Sequence, residues 1–200
     1  MVSLPPTSVL ILHGWQNHRP PEHWQHLLAD DLVAAGIDVR YPQLPDPDEP
    51  DPTVWREQVA AEIAALTGRR RLVMAHSLAT WVVLDLMAGA DGLDVEQILL
   101  TAPVSRSVLA ANPPIAGFDP GLEDAAIRSA VVRHGGVEIV CSDDDPYWPG
   151  GAAGWADSIG ATVHPLTGQG HLALGDGYGR WDSVRSWVLS GGRIGPREPP

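Results

Sequence analysis

The sequence predicts an α/β fold in which a mostly parallel sheet carries helices on both faces. Three observations predict it. Short apolar runs rich in Val, Ile and Leu alternate along the chain with longer segments whose apolar residues fall at helical spacing. The short runs are apolar throughout rather than every second residue, as strands covered on both faces are. Each run also ends in a loop rich in glycine, proline or acid, and in such sheets the loops at the carboxyl ends of the strands build the site.

The elements follow in order. Ser8 to Leu12 is a buried strand bounded by Pro5-Pro6 and Gly14. Glu22 to Ala35 places Trp24, Leu27, Leu28, Leu32 and Val33 at helical spacing, and Gly36 stops that helix. Ile37 to Tyr41 is a second strand, and Pro42 to Pro52 is a surface loop dense in proline and acid. Asp51 as N-cap and Pro52 at the first helical position open the next helix, whose buried face is Val54, Val59, Ile63 and Leu66 and which Gly68 ends. Leu72-Val73-Met74 then leads through Ala75-His76-Ser77-Leu78-Ala79 into the apolar run Trp81 to Met87. Gln97 to Thr101 and Val137 to Cys141 are further strands, and Ala161 to Leu166 is the last. Between 102 and 136 the pattern loosens, with a helix over Leu122 to Val132; Gly154 to Ile159 and Trp181 to Leu189 are the closing helices.

Composition narrows the function. A chain of 200 residues fits one domain, taken as 1–190, with 191–200 as a frayed Gly/Pro/Arg-rich tail. A formal charge of −12 argues against a nucleic-acid partner, which needs a basic surface. The one basic run, Arg69-Arg70-Arg71, reads as solvated charge at a helix end. There is no lysine, which removes Schiff-base and P-loop chemistry. No stretch is long enough for a membrane span, and Met1 to Pro6 lacks the marks of a secretory leader. With Cys141 as the single cysteine, a buried strand residue, the protein is expected in the cytoplasm.

The strand-end loops carry the chemistry. Ser77, between small residues at a sharp strand-to-helix turn, has the setting of a nucleophile elbow, with alanines at 75 and 79 where glycines are usual. His13-Gly14-Trp15 after the first strand brings backbone close to that turn, so the amides of Trp15 and Leu78 are the expected oxyanion hole. His13, Gly14 and Trp148 are expected in the substrate pocket, with Trp15 as a further wall. Three consecutive acids, Asp143-Asp144-Asp145, end another strand; Asp145, fixed by Pro146, is the expected acid and Asp144 the alternative. Gly168-Gln169-Gly170-His171 ends the last. The order Ser77, Asp145, His171 is the serine–acid–histidine order of α/β-hydrolases.

His13, His18, His23 and His26 cluster without the interleaved acids or cysteines of a zinc site, so no metal and no cofactor are expected. His76 is expected to point away from the site by strand period, His134 to lie in a loop, and His164 on a strand surface.

The sequence resembles the small serine hydrolases related to retinoblastoma-binding protein 9 and their bacterial YdeN-like counterparts. The resemblance runs over residues 8–190 through Leu12-His13-Gly14-Trp15, Glu22-His23-Trp24-Gln25, Val73 to Leu78, Ser142 to Tyr147, Gly170-His171 and Gly177-Tyr178-Gly179-Arg180-Trp181. It implies an α/β-hydrolase fold with a minimal lid and a triad on Ser77, Asp145 and His171. Residues 102–136 match least and are the expected place for any cap. The expectation is a carboxylesterase-like serine hydrolase acting on a small-molecule ester without membrane or nucleic-acid partners. The alternative is a weakly active or non-catalytic binding protein on the same scaffold, motivated by Ala75 and Ala79.

Overall fold

The computed structural model describes residues 5–197. Met1 to Leu4, read above for a leader, and the last three residues of the tail lie outside the described residues. The chain forms β1 (Thr7–Leu12), α1 (Trp24–Ala34), β2 (Asp38–Arg40), α2 (Pro52–Ala64), β3 (Arg70–His76), α3 (Ala79–Ala88), β4 (Gln97–Thr101), α4 (Arg106–Ala111), α5 (Asp124–His134), β5 (Val137–Ser142), α6 (Ala153–Ser158), β6 (Thr162–Leu166) and α7 (Asp182–Ser190). The six strands form one sheet in the order β2-β1-β3-β4-β5-β6, and every neighbouring pair is parallel.

Strand period divides the core into two. Val9 and Ile11 of β1, Leu72 and Met74 of β3, Leu99 of β4 and Val140 of β5 face α1 and α7. Leu10, Leu12, Val73, Ala75, Ile98, Leu100 and Ile139 face α2, α3, α5 and α6. Both faces are therefore apolar, which is why the strands read as continuous apolar runs. On the α1 side, Trp24 is 1 % exposed and its Nε1 donates to Leu172 O at 3.0 Å. That bond ties the first helix to the loop after β6.

The helix ends follow local chemistry. Asp51 Oδ1 accepts from the amides of Thr53 at 2.7 Å and Val54 at 3.1 Å, with Pro52 opening α2 as expected. The first helix begins at Trp24 rather than Glu22, because His23 holds extended backbone and caps it, Nδ1 accepting from Gln25 N at 3.3 Å.

Three expectations are corrected here. Residues 102–136 are no cap over the strand ends. Val104, Leu109, Ile115, Phe118, Ile127 and Val131 bury themselves against the α2/α3 layer, so the segment is a wall of the larger core. Arg70 and Arg71 do not sit at a helix end; they open β3 and pair with Glu96 at 3.1 Å and Asp94 at 2.6 Å. In the tail, residues 191–197 form no regular element but are held down. Ile194 is 4 % exposed, and Gly195 O accepts from Trp181 Nε1 at 2.8 Å and Ser183 Oγ at 3.0 Å.

The strand order reverses direction between β1 and β3. This is the topological switch point, where the loops leaving two adjacent strands part to opposite faces and leave a crevice. Leu12 pairs with Ala75, so the Gly14 loop and the Ser77 turn open that crevice side by side.

Candidate active site

Ser77 sits at the turn between β3 and α3 with φ +56°, a left-handed conformation that a non-glycine residue adopts rarely and only where its surroundings impose it. They do so here. Ser77 N donates to Thr101 O at 2.9 Å, and Ser77 O accepts from Thr80 N at 3.1 Å and Thr80 Oγ1 at 2.6 Å. Ala75 and Ala79 are buried to within 1 % on either side, so the alanines fit the close packing of the turn. The need for glycine lies elsewhere. A Cβ on Gly14 would stand 2.6 Å from Ser77 Cβ and 3.0 Å from its Oγ. Among the described residues, neither the Trp15 nor the Leu78 amide donates to a protein acceptor.

His171 reaches Ser77 from the loop after β6. Its Nε2 lies 2.8 Å from Ser77 Oγ, and its Nδ1 lies 2.8 Å from Asp145 Oδ2 and 3.0 Å from Asp145 Oδ1. With Nδ1 facing a carboxylate the ring proton sits there, which leaves the Nε2 lone pair for the serine hydroxyl. Asp145 is 3 % exposed, and its Oδ1 also accepts from Tyr147 N at 2.8 Å.

The three consecutive acids divide the work of holding this geometry. Asp144 Oδ1 accepts from Ser142 Oγ at 2.6 Å and Gly170 N at 2.8 Å, bonds that hold its carboxyl below the usual range. Asp143 Oδ1 accepts from Gly168 N at 2.9 Å. The two acids that do not face the histidine ring thus clamp the loop that carries it. Sequence reasoning missed Asp176, whose Oδ2 accepts from His171 N at 3.0 Å and Ala173 N at 3.1 Å. Its signal was an acid bracketed by Gly175 and Gly177 just after the histidine. The same carboxylate explains Gly170, where a Cβ would lie 2.3 Å from Asp176 Oδ1.

Ser77, His171 and Asp176 line a cleft of ≈ 350 Å³. Gly14, Trp15, Gln16, Asn17, His23, His76, Tyr147 and Leu174 line it with them. Trp148, expected in this pocket, is not there: its ring packs on Trp155 with centroids 4.8 Å apart. Tyr147 takes the place beside the histidine, its ring 4.3 Å from that of His171. His13 is also absent from the lining. It is fully buried, with Nε2 accepting from Leu44 N at 2.8 Å and Nδ1 donating to Gly14 O at 2.9 Å, so it shapes the Gly14 loop from beneath.

The remaining histidines fall into distinct roles. His76 follows strand period toward α1, but the His171 loop comes over that same face, and the two rings lie 5.1 Å apart. His76 therefore lines the cleft instead of pointing away from it. His164 is 5 % exposed and bonds Glu138 at 2.6 Å, not a surface residue, and His134 ends α5 on Val95 O at 3.0 Å. His18 bonds Asp48 and His26 bonds Arg19 O. Among the described residues no cluster of three or more His, Cys, Asp or Glu is placed to hold a metal. Burial pushes the Cys141 thiol up to about 11, and the Asp145 charge adds to the shift, so it is inert near neutral pH.

The architecture recurs in solved structures. The ydeN gene product of Bacillus subtilis superposes with a TM-score of 0.78 at 20 % identity, covering 92 % of this chain and 98 % of that one. A YdeN-like hydrolase from Pectobacterium atrosepticum gives 0.69 at 15 %, covering 93 % and 91 %. Est1E from Butyrivibrio proteoclasticus gives 0.64 at 12 %, covering 94 % and 88 %. These likenesses establish the α/β-hydrolase fold. No curated protein sequence matches the chain. The Serine hydrolase family profile, however, matches residues 9–190, and the chain belongs to that family.

Proposed function

We propose that the protein is a carboxylesterase-like serine hydrolase in which Ser77, His171 and Asp145 act as a triad on small esters. The observation that carries the reading is the hydrogen-bonded series running inward from the cleft, Ser77 Oγ to His171 Nε2 at 2.8 Å and His171 Nδ1 to Asp145 Oδ2 at 2.8 Å. In this mechanism His171 takes the hydroxyl proton as Ser77 Oγ attacks the ester carbonyl, and Asp145 holds the tautomer and stabilises the imidazolium. The amides of Trp15 and Leu78 receive the oxyanion. His171 then protonates the departing alcohol, and water, activated by the same ring, releases the acid from the acyl-serine. Besides the ester and water, each step uses side chains and backbone amides of this chain.

The cleft suits a small-molecule ester, and the esterase assignment agrees with neighbours of the same fold that carry esterase names, such as the Esterase domain from a Rhodothermus marinus protein. The acidic net charge of −12 favours neither nucleic acid nor an anionic membrane surface as partner. No helix among the described residues is long and apolar enough to cross a membrane. The lone, buried Cys141 fits a cytoplasmic setting.

A panel of 4-nitrophenyl esters from acetate to octanoate tests the reading. Turnover that falls by at least about 1,000-fold in Ser77→Ala is the expected result. Equal turnover by wild type and Ser77→Ala contradicts it.

A further inference from the structure

Two histidines that the triad does not use, His23 and His76, line the cleft. His23 caps α1, and because its Nδ1 accepts from Gln25 N at 3.3 Å its ring proton sits on Nε2. His76 has its Nδ1 3.2 Å from Thr101 Oγ1, while that hydroxyl donates to Ala75 O at 3.3 Å. The ring proton of His76 is therefore on Nδ1, which leaves the Nε2 lone pair as an acceptor. Among the described residues neither Nε2 bonds a protein group and neither is a sealed, unpaired atom, although each residue is only 3 % exposed; both residues line the cleft.

The centroids of the two rings lie 5.9 Å apart with the planes tilted by 54°, so the rings are neighbours on the cleft. A hydroxyl that comes within about 3 Å of both Nε2 atoms can accept from one and donate to the other. His76 is in turn 5.1 Å from His171, so this pair begins one ring away from the reacting serine. Burial holds both rings neutral, His23 at about 4 and His76 well below its ordinary value, so the arrangement persists across the neutral range. Leu174, 40 % exposed, and Tyr147 line the same cleft and offer apolar contact to the rest of a substrate.

We propose that His23 and His76 form a donor–acceptor pair that recognises a hydroxyl group on the substrate, with His23 as the specificity-determining residue for hydroxyl-bearing esters. This rests on the esterase reading above. A hydroxyl satisfies both nitrogens at once, accepting from His23 and donating to His76. An ester lacking it strips water from both and leaves them unpaired, which is how polar pockets reject apolar analogues.

Two matched pairs locate the hydroxyl: 4-nitrophenyl 3-hydroxybutyrate against 4-nitrophenyl butyrate for the acyl side, and glycerol monobutyrate against propyl butyrate for the alcohol side. In wild type, kcat/KM is expected to favour the hydroxylated member of one pair by at least about 5-fold, the effect of one or two net hydrogen bonds. In His23→Asn the ratio collapses to about one. Asparagine still caps the helix, so a role confined to stability predicts an unchanged ratio. His23→Ser, also a capping residue, repeats the test if the first variant does not fold. A wild-type ratio near one in both pairs overturns the proposal, as does a preference that survives in the variants. Ser77-dependent turnover with no hydroxyl preference sinks this inference alone. Absence of turnover on every ester sinks the esterase reading together with it.

Discussion

Gly14→Ala places one methyl group where the β1 loop crosses the serine turn. The new Cβ would stand 2.6 Å from Ser77 Cβ, 3.0 Å from Ser77 Oγ and 3.2 Å from His76 O. Carbon atoms pack best at about 3.5–4.0 Å, so roughly 1 Å must be made up by moving backbone. Little of it can yield. Leu12 and Ala75 are paired across β1 and β3, Ser77 N is bonded to Thr101 O, and Gln16 N is bonded to Pro47 O at 2.8 Å. Either the serine swings off His171 or the Trp15 amide swings off the oxyanion position. A displacement of about 1 Å costs on the order of 100-fold in rate, and losing an oxyanion donor costs about 100- to 1,000-fold. The overpacking itself costs about 1–3 kcal/mol, or about 2–12 °C in Tm at this size. The assay is kcat/KM on 4-nitrophenyl acetate beside a thermal melt. A Gly14→Ala protein with activity within threefold of wild type and an unchanged Tm would refute the close approach on which this account of the site depends.

Two further predictions concern Asp145 and His13. Asp145→Asn is expected to keep the fold but leave His171 Nδ1 without a carboxylate, lowering kcat by about 1,000- to 10,000-fold; a loss under tenfold would contradict Asp145 as the acid. His13 is held near 4 chiefly by burial, although its bond to Gly14 O acts the other way. Between pH 4 and about 6.5 the unfolded chain therefore binds a proton that the folded chain refuses. Stability is full above about 6.5 and falls as pH drops through that window, by up to about 3 kcal/mol for this residue. Urea midpoints at pH 7.5, 6 and 5 should show a shallower fall in His13→Gln, and superimposable slopes would contradict the assignment.

The sequence made the site legible where backbone geometry and residue type coincide. Ser77, Asp145 and His171 each follow a separate strand, and strand ends share one edge of a parallel sheet, so their order alone brought them together. What it hid depends on direction after the chain leaves the strand. Trp148 and Tyr147 are adjacent in sequence, yet only Tyr147 turns to His171; Trp148 finds Trp155, a partner seven residues on. His76 obeys strand period, but the period cannot say that the His171 loop will fold over that same face. His13 lay in the motif yet serves beneath it, because its acceptor role for Leu44 N depends on a loop 31 residues away. Residues 102–136 looked like a cap because their pattern was loose, but their apolar side chains had a helical layer to cover.

A fluorophosphonate reacts only with a serine whose hydroxyl is activated and whose oxyanion is received, so it reads the whole constellation in one step. Intact-protein and peptide mass spectrometry of the labelled chain should find a single adduct, on Ser77, that is lost in Ser77→Ala and strongly slowed in Asp145→Asn. Folded wild-type protein that takes up no probe, or a Ser77→Ala protein labelled as fast as wild type, would contradict the account at its centre.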